Sequence, residues 1–159
     1  MGLDKDFGLA FAKSQLAAGQ QLPLSGTVFI SVKDEDKMAM LKTAFLFSDL
    51  GFRIVATKGT SAYLLQHGIR NQPVLKVREG RPHILDMMKN GEIQLVINTT
   101  SSKRAVSESY SIRRTALTMD IPYTTTQAGA RATVLAIKSM IQGKLEVKTL
   151  QEYHAKSRE

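Results

Sequence analysis

Val28-Phe29-Ile30-Ser31-Val32, an amphipathic stretch from 34 to 50, then Phe52-Arg53-Ile54-Val55-Ala56: this passage decides the fold. The two short runs are nearly continuous in apolar residues, as strands covered on both faces are. The stretch between them has the length of a helix. Its residues Met38, Leu41 and Phe45 fall on one stripe, predicted to face the core, and Gly51 stands where a C-terminal cap belongs. Strand, helix and strand in this order make a βαβ unit with parallel strands.

The rhythm continues downstream. Residues 61–67 read as a short helix closed by Gly68, and Val74-Leu75-Lys76-Val77 as a third strand. Pro82, an allowed first helical residue, opens a helix ending near Gly91. Ile93-Gln94-Leu95-Val96-Ile97 is a fourth strand, followed by a polar loop and a helix over 107–119. Ile121-Pro122-Tyr123 is a short fifth strand, placed at an edge by Pro122. A long helix over 127–142 has Ala130, Val134, Ile137 and Ile141 on one face, and 145–159 reads as a short polar tail. Upstream, 4–18 read as a helix with Phe7, Ala10 and Phe11 on one face, and 19–25 as a linker. That helix either packs on its own domain or is the tail of a preceding one. The expected architecture is α/β: a doubly wound five-stranded parallel sheet with helices on both faces.

Composition narrows the function. With 159 residues, 43% hydrophobic and 23% charged, the chain has room for one domain with a proper core. No apolar run approaches a membrane span, the start has no secretory pattern, and a cytoplasmic location is expected. Cysteine is absent, which removes disulfides, thiolate metal sites and cysteine nucleophiles. His67, His83 and His154 are scattered without metal-ligand spacing and suit solvated or capping roles. The net charge of +8 favours anionic partners, but aromatics are only 6% and Trp is absent, so a base-stacking platform for nucleic acid is poorly supplied. Arg113-Arg114 fits a solvated helix face or a partner contact better than a nucleic-acid patch.

Ligands of open parallel sheets bind outside the carboxyl ends of the strands. The residues following the five expected strands are Lys33 and Lys37; Thr57-Lys58-Gly59-Thr60; Lys76, Arg78 and Arg81; Asn98-Thr99-Thr100-Ser101-Ser102-Lys103; and Thr124-Thr125-Thr126. One edge thus gathers hydroxyls, amides and cations with few carboxylates. Each Ser or Thr alone could be only a helix cap. Together they suit a phosphate, bound by helix N-terminal N–H groups, hydroxyls and charge-assisted bonds from Lys. Gly59 lets the backbone come close.

The same residues carry a resemblance. Ser31-Val32 with Lys37, Ala56-Thr57-Lys58-Gly59-Thr60, Lys76-Val77-Arg78-Glu79-Gly80-Arg81-Pro82-His83, Ile97-Asn98-Thr99-Thr100-Ser101, Ile112-Arg113-Arg114-Thr115-Ala116-Leu117 and Tyr123-Thr124-Thr125-Thr126 resemble the C-terminal regulatory, methylglyoxal-synthase-like domain of carbamoyl-phosphate synthase large subunits. The resemblance runs over roughly 26–153. It implies that 1–24 are the end of a preceding ATP-grasp half and linker, and that 25–159 form the allosteric domain. It further implies a nucleotide monophosphate effector, UMP or IMP, with its phosphate at Lys37, Thr57, Gly59, Thr60 and Lys76, Asn98, Thr99 and Thr100 completing the pocket, and Ser31 near base or ribose. Tyr123 and Thr125 match positions that bind ornithine, which also needs carboxylates from outside this chain. The implied partners are the remainder of the large subunit and the small glutaminase subunit, with no nucleic acid and no membrane. ATP, Mg or Mn, and K serve the parent ligase of arginine and pyrimidine biosynthesis; none is expected in this section.

The alternative on the same fold is a methylglyoxal synthase-type phosphate lyase. That enzyme needs an aspartate as general base where this chain has Arg81, and a further His and Asp where it reads Val106-Ser107-Glu108-Ser109-Tyr110-Ser111. An arginine cannot abstract a proton at neutral pH. The expectation is a binding domain without a catalytic site.

Overall fold

The computed structural model describes the backbone of residues 1–100 and 103–155, and the side chains of 1–100 and 109–153. Ser101, Ser102, the side chains of 103–108 and of 154–155, and residues 156–159 lie outside the described residues. Five parallel strands, β1 (Thr27–Ser31), β2 (Arg53–Thr57), β3 (Gln72–Val74), β4 (Leu95–Asn98) and β5 (Tyr123–Thr124), form one sheet in the order β3-β2-β1-β4-β5. The helices are α1 (Phe7–Ala17), α2 (Lys37–Asp49), α3 (Lys58–Gln66), α4 (Ile84–Lys89), α5 (Lys103–Thr118), α6 (Gln127–Gln142) and α7 (Leu150–Ala155).

The winding follows from short right-handed crossovers between parallel strands. The chain moves outward from β1 through α2 and α3, returns past β1 to β4, and continues through α5 to β5. Helices therefore cover both faces. On one face Met40, Ala44 and Phe47 of α2, Leu64 of α3, Ala12 of α1 and Ala130, Val134 and Ile137 of α6 pack on Val28, Ile30, Ile54, Leu95 and Ile97. On the other, Ile84 and Met88 of α4 and Ile112 and Ala116 of α5 pack on Phe29, Val55 and Val96. Alternate residues of one strand serve opposite faces, which is why the central strands are apolar throughout.

Several expected details are corrected. Met38 is 71% and Phe45 62% exposed, with Leu41 only partly covered. The buried side of α2 is instead Met40, Thr43, Ala44 and Phe47. This helix carries apolar residues on more than one side, so periodicity alone could not choose its inward face. Similarly Phe7 is exposed, and Gly8 and Ala12 turn toward the protein. Ile141 lies past the core at the exposed end of α6.

The third strand stops at Val74 rather than Val77 because a turn intervenes: Lys76 N–H donates to Glu79 Oε2 at 2.9 Å and Glu79 N–H to Lys76 O at 2.9 Å. The next helix starts at Ile84, not Pro82, since His83 is its N-cap, paired reciprocally with Asp86. The His83 backbone N–H donated to Asp86 Oδ2 at 3.0 Å, with the nearby Arg81 and Lys89 charges, holds the Asp86 carboxyl below its ordinary value. The helix expected over 107–119 begins earlier, at Lys103, and the tail contains α7. Of the two readings left open for the N-terminal helix, the structure shows its contacts with the rest of the chain. Ala12 and Leu22 join the core beside α6, and Lys13 Nζ ties Asp4 (2.6 Å) to Tyr153 Oη (2.9 Å).

Candidate functional site

In this strand order the crossover reverses between β1 and β4, and a crevice opens at their carboxyl ends. Register fixes what meets there. Ser31 pairs with Asn98, and Thr57 pairs with Val74 on the far side of β2. The last residues of four strands thus stand in a row. The loops leaving them wall a cleft of about 180 Å³ lined by Ser31, Lys37, Thr57, Gly59, Thr60, Lys76, Asn98, Thr99 and Thr100, all nine of which the sequence singled out. Tyr123 and Thr125 are not brought to it. Tyr123 is half-buried against the second core cluster, and Thr125 is exposed beyond β5.

The hydroxyls have distinct duties. Thr60 Oγ1 accepts the Val32 N–H at 3.3 Å and the Thr57 hydroxyl at 3.4 Å, so it fastens the first turn of α3 to the exit of β1. Thr57 is the N-cap of α3, yet its side chain makes no cap bond; its hydroxyl is also within 3.3 Å of Ser31 Oγ. The leading N–H groups of α3 are therefore left without that side-chain acceptor, on the cleft side. A Cβ placed on Gly59 would meet only Lys37 Nζ, at 3.6 Å, so the glycine keeps open the gap between this helix terminus and the ammonium group. Thr99 Oγ1 accepts the Lys33 N–H at 3.2 Å, bracing the two loops at the crevice.

On the α5 side, Ser109 donates to Asn98 Oδ1 at 3.3 Å, while Asn98 Nδ2 is buried without a partner among the described residues. Arg113 donates through Nη2 to Thr100 Oγ1 at 3.4 Å, and its Nε is likewise buried without a partner among the described residues. Buried donors without acceptors are uncommon and costly, and a ligand supplying acceptors would relieve them. Asp34 is the carboxylate among the lining residues. Its Oδ1 is 2.7 Å from Lys37 Nζ, and that bond, with the more distant charge of Lys76, holds its carboxyl below the ordinary value. An acid so lowered is a weak base. Arg81 is exposed and paired with Asp86 at 3.9 Å, on the loop before α4.

Sequence reasoning did not single out Asp34, Ser109 or Arg113 for this cleft. Asp34 follows a strand and was within reach of the carboxyl-edge rule. Ser109 and Arg113 enter from one face of α5, for which strand-end reasoning has no signal. Among the described residues no group of three or more His, Asp or Glu could hold a metal, and no helix is long and apolar enough to cross a membrane.

This arrangement of sheet and cleft can be set beside known proteins. The family model of the MGS-like domain matches residues 39–125. The chain belongs to the MGS-like domain family. Its relatives include the carbamoyl phosphate synthase large chain of Nostoc sp., 54% identical over 96% of this chain and 14% of that protein. The large chain of Archaeoglobus fulgidus is 51% identical over 99% of this chain and 15% of its own length. The C-terminal section of the Aquifex aeolicus large chain is 50% identical over 97% and 30%, respectively. The chain therefore spans about a seventh of the full-length relatives it matches. Among solved structures, the methylglyoxal synthase of Elizabethkingia anophelis superposes with a TM-score of 0.60 at 16% identity, covering 75% of this chain and 82% of that one. ForH gives 0.53, also at 16% identity, over 76% and 81%. At such identity both speak for the fold alone.

Proposed function

We propose that this chain is the effector-binding section of a cytoplasmic carbamoyl phosphate synthase large chain, and that its cleft takes the phosphate of a nucleoside monophosphate such as UMP or IMP. The observation that carries the reading is the convergence of Lys37, Lys76, the α3 N-terminus and the unpaired Asn98 Nδ2 on one crevice. A phosphate monoester brings about two negative charges and three acceptor oxygens. It would accept from the Gly59 and Thr60 N–H groups and the Thr57 hydroxyl, and pair with Lys37 and Lys76. Asn98, Thr99 and Thr100 would face the ribose, and Ser31, Val77 and Ile112 the base.

Regulation on this reading is a population shift. The nucleotide favours one arrangement of the domain against the remainder of the large chain. The effect on carbamoyl phosphate synthesis is bounded by its differential affinity for the two arrangements, with about 1.4 kcal/mol per factor of ten. Tyr123 and Thr125, at the far edge of the sheet, would contact ornithine together with carboxylates of the remaining chain. The small glutaminase subunit, ATP and its metal ions would act in that remainder, for arginine and pyrimidine biosynthesis.

Isothermal titration of the chain with UMP and IMP tests the reading. Lys37→Ala is the sharper variant, because Thr60 also braces Val32. Saturable binding that weakens in Lys37→Ala and with added salt supports it; equal affinity in the variant opposes it. The lyase alternative is tested by release of methylglyoxal from dihydroxyacetone phosphate, for which no turnover is expected.

A further inference from the structure

Building on the nucleotide reading above, we propose that Asp34 is a built-in competitor for the anion seat: it occupies Lys37 in the unliganded protein and must be displaced before phosphate binds. The two partners are unequal. The Lys37 side chain is only 18% exposed, held at the cleft wall with its Nζ facing the Gly59 gap, whereas the Asp34 side chain is 92% exposed. The lysine is fixed in the site and the aspartate reaches in from the single 3-10 turn, Asp34–Asp36, that joins β1 to α2. Glu35 of the same turn is already engaged by Lys33 at 2.8 Å, so Asp34 is the carboxylate of the turn placed on the cleft lysine.

A carboxylate on this ammonium presents two oxygens where a phosphate would present three. It neutralises Lys37 in the absence of ligand and repels an incoming anion. When phosphate takes Lys37, Asp34 is released into water at little cost, because it is already solvated. The exchange links ligand arrival to the turn that starts α2. The affinity lost to the competition is what an exposed ion pair carries, about two- to fivefold in an equilibrium constant.

The test is isothermal titration of UMP into the full chain as wild type, Asp34→Ala, Asp34→Asn, Lys37→Ala and the Asp34→Ala/Lys37→Ala double variant. Tighter binding by about two- to fivefold in both Asp34 variants, with that gain abolished in the Lys37→Ala background, supports competition. Unchanged or weaker binding in the Asp34 variants, while the wild type binds UMP, overturns it and leaves the nucleotide reading standing; Asp34 would then only orient Lys37. A gain of the same size without Lys37 also overturns it, since the aspartate would act by general repulsion. No UMP binding by wild type or either Asp34 variant removes the nucleotide reading and this inference together.

Discussion

Gly59→Ala should strengthen the fold and weaken the site, and the opposite signs make it informative. Gly59 is the second residue of α3 and does not have a positive φ. Its added Cβ would meet nothing within 4 Å except Lys37 Nζ at 3.6 Å, an ordinary contact. Alanine in place of glycine in a helix gains roughly 0.5–1 kcal/mol, with the lower end fitting a first-turn position. For a chain of this size that raises the melting temperature by roughly 1–3 °C. The same methyl fills the gap between the helix terminus and the ammonium, where a phosphate oxygen would sit. Losing one charge-assisted hydrogen bond costs about 1.5–3 kcal/mol. The UMP dissociation constant should therefore rise by about tenfold or more while the protein melts higher. Differential scanning fluorimetry and calorimetric titration on one preparation read both quantities. A higher melting temperature with unchanged affinity would refute the placement of the phosphate at α3. A lower melting temperature would refute the open geometry around Gly59.

Gly8→Ala should act in the other direction on stability. A Cβ there would stand 2.6 Å from Leu135 O and overlap Ser139 Oγ, so α1 must move off α6; a loss of about 1–3 kcal/mol, seen as a lower melting temperature, is expected, and a rise would contradict the contact. Phe47→Ala removes a fully buried ring set edge-on to Phe52 at 5.4 Å, and should cost about 3–5 kcal/mol in urea unfolding, with a loss under 1 kcal/mol contradicting its burial. Acid should destabilise the chain. Hydrogen bonding and pairing hold Asp4, with Lys13, and Asp86, with the His83 backbone, below ordinary carboxylate values. Their stabilisation is present above the ordinary aspartate value near pH 4 and is lost as pH falls through the lowered values. Melting temperatures that stay flat between pH 5 and roughly pH 2 would contradict this.

The legible part of this molecule is the part fixed by short-range pattern. Continuous apolar strands alternating with helices could hardly be other than a wound parallel sheet, and its carboxyl edge collects Lys37, Thr57, Lys76 and Asn98 from the sequence alone, whereas Ser31, the last residue of its strand, enters only through the family resemblance. The strand order placing β1 beside β4 is a tertiary fact, and it turns a list of loops into one crevice. Periodicity points α2 the wrong way because the exposed Met38 and Phe45 imitate a core stripe. Val77 lies in a turn because Glu79 bonds back to Lys76, an interaction that an apolar run conceals. Arg113 reached Thr100 from a helix that looked like a solvated surface. Such errors share one cause: local periodicity marks an amphipathic element but not the neighbour that decides which side is covered.

The most direct test of the central claim is a titration of the isotope-labelled chain with UMP, followed residue by residue through its backbone amide and side-chain NH₂ signals. The largest shifts should fall on Gly59, Thr60, Lys37, Thr100 and the side-chain amide of Asn98, saturating together with one affinity. Shifts confined to the outer surface of α5 around Arg114, or no saturating shifts at all, would mean that this crevice is not where the anion binds.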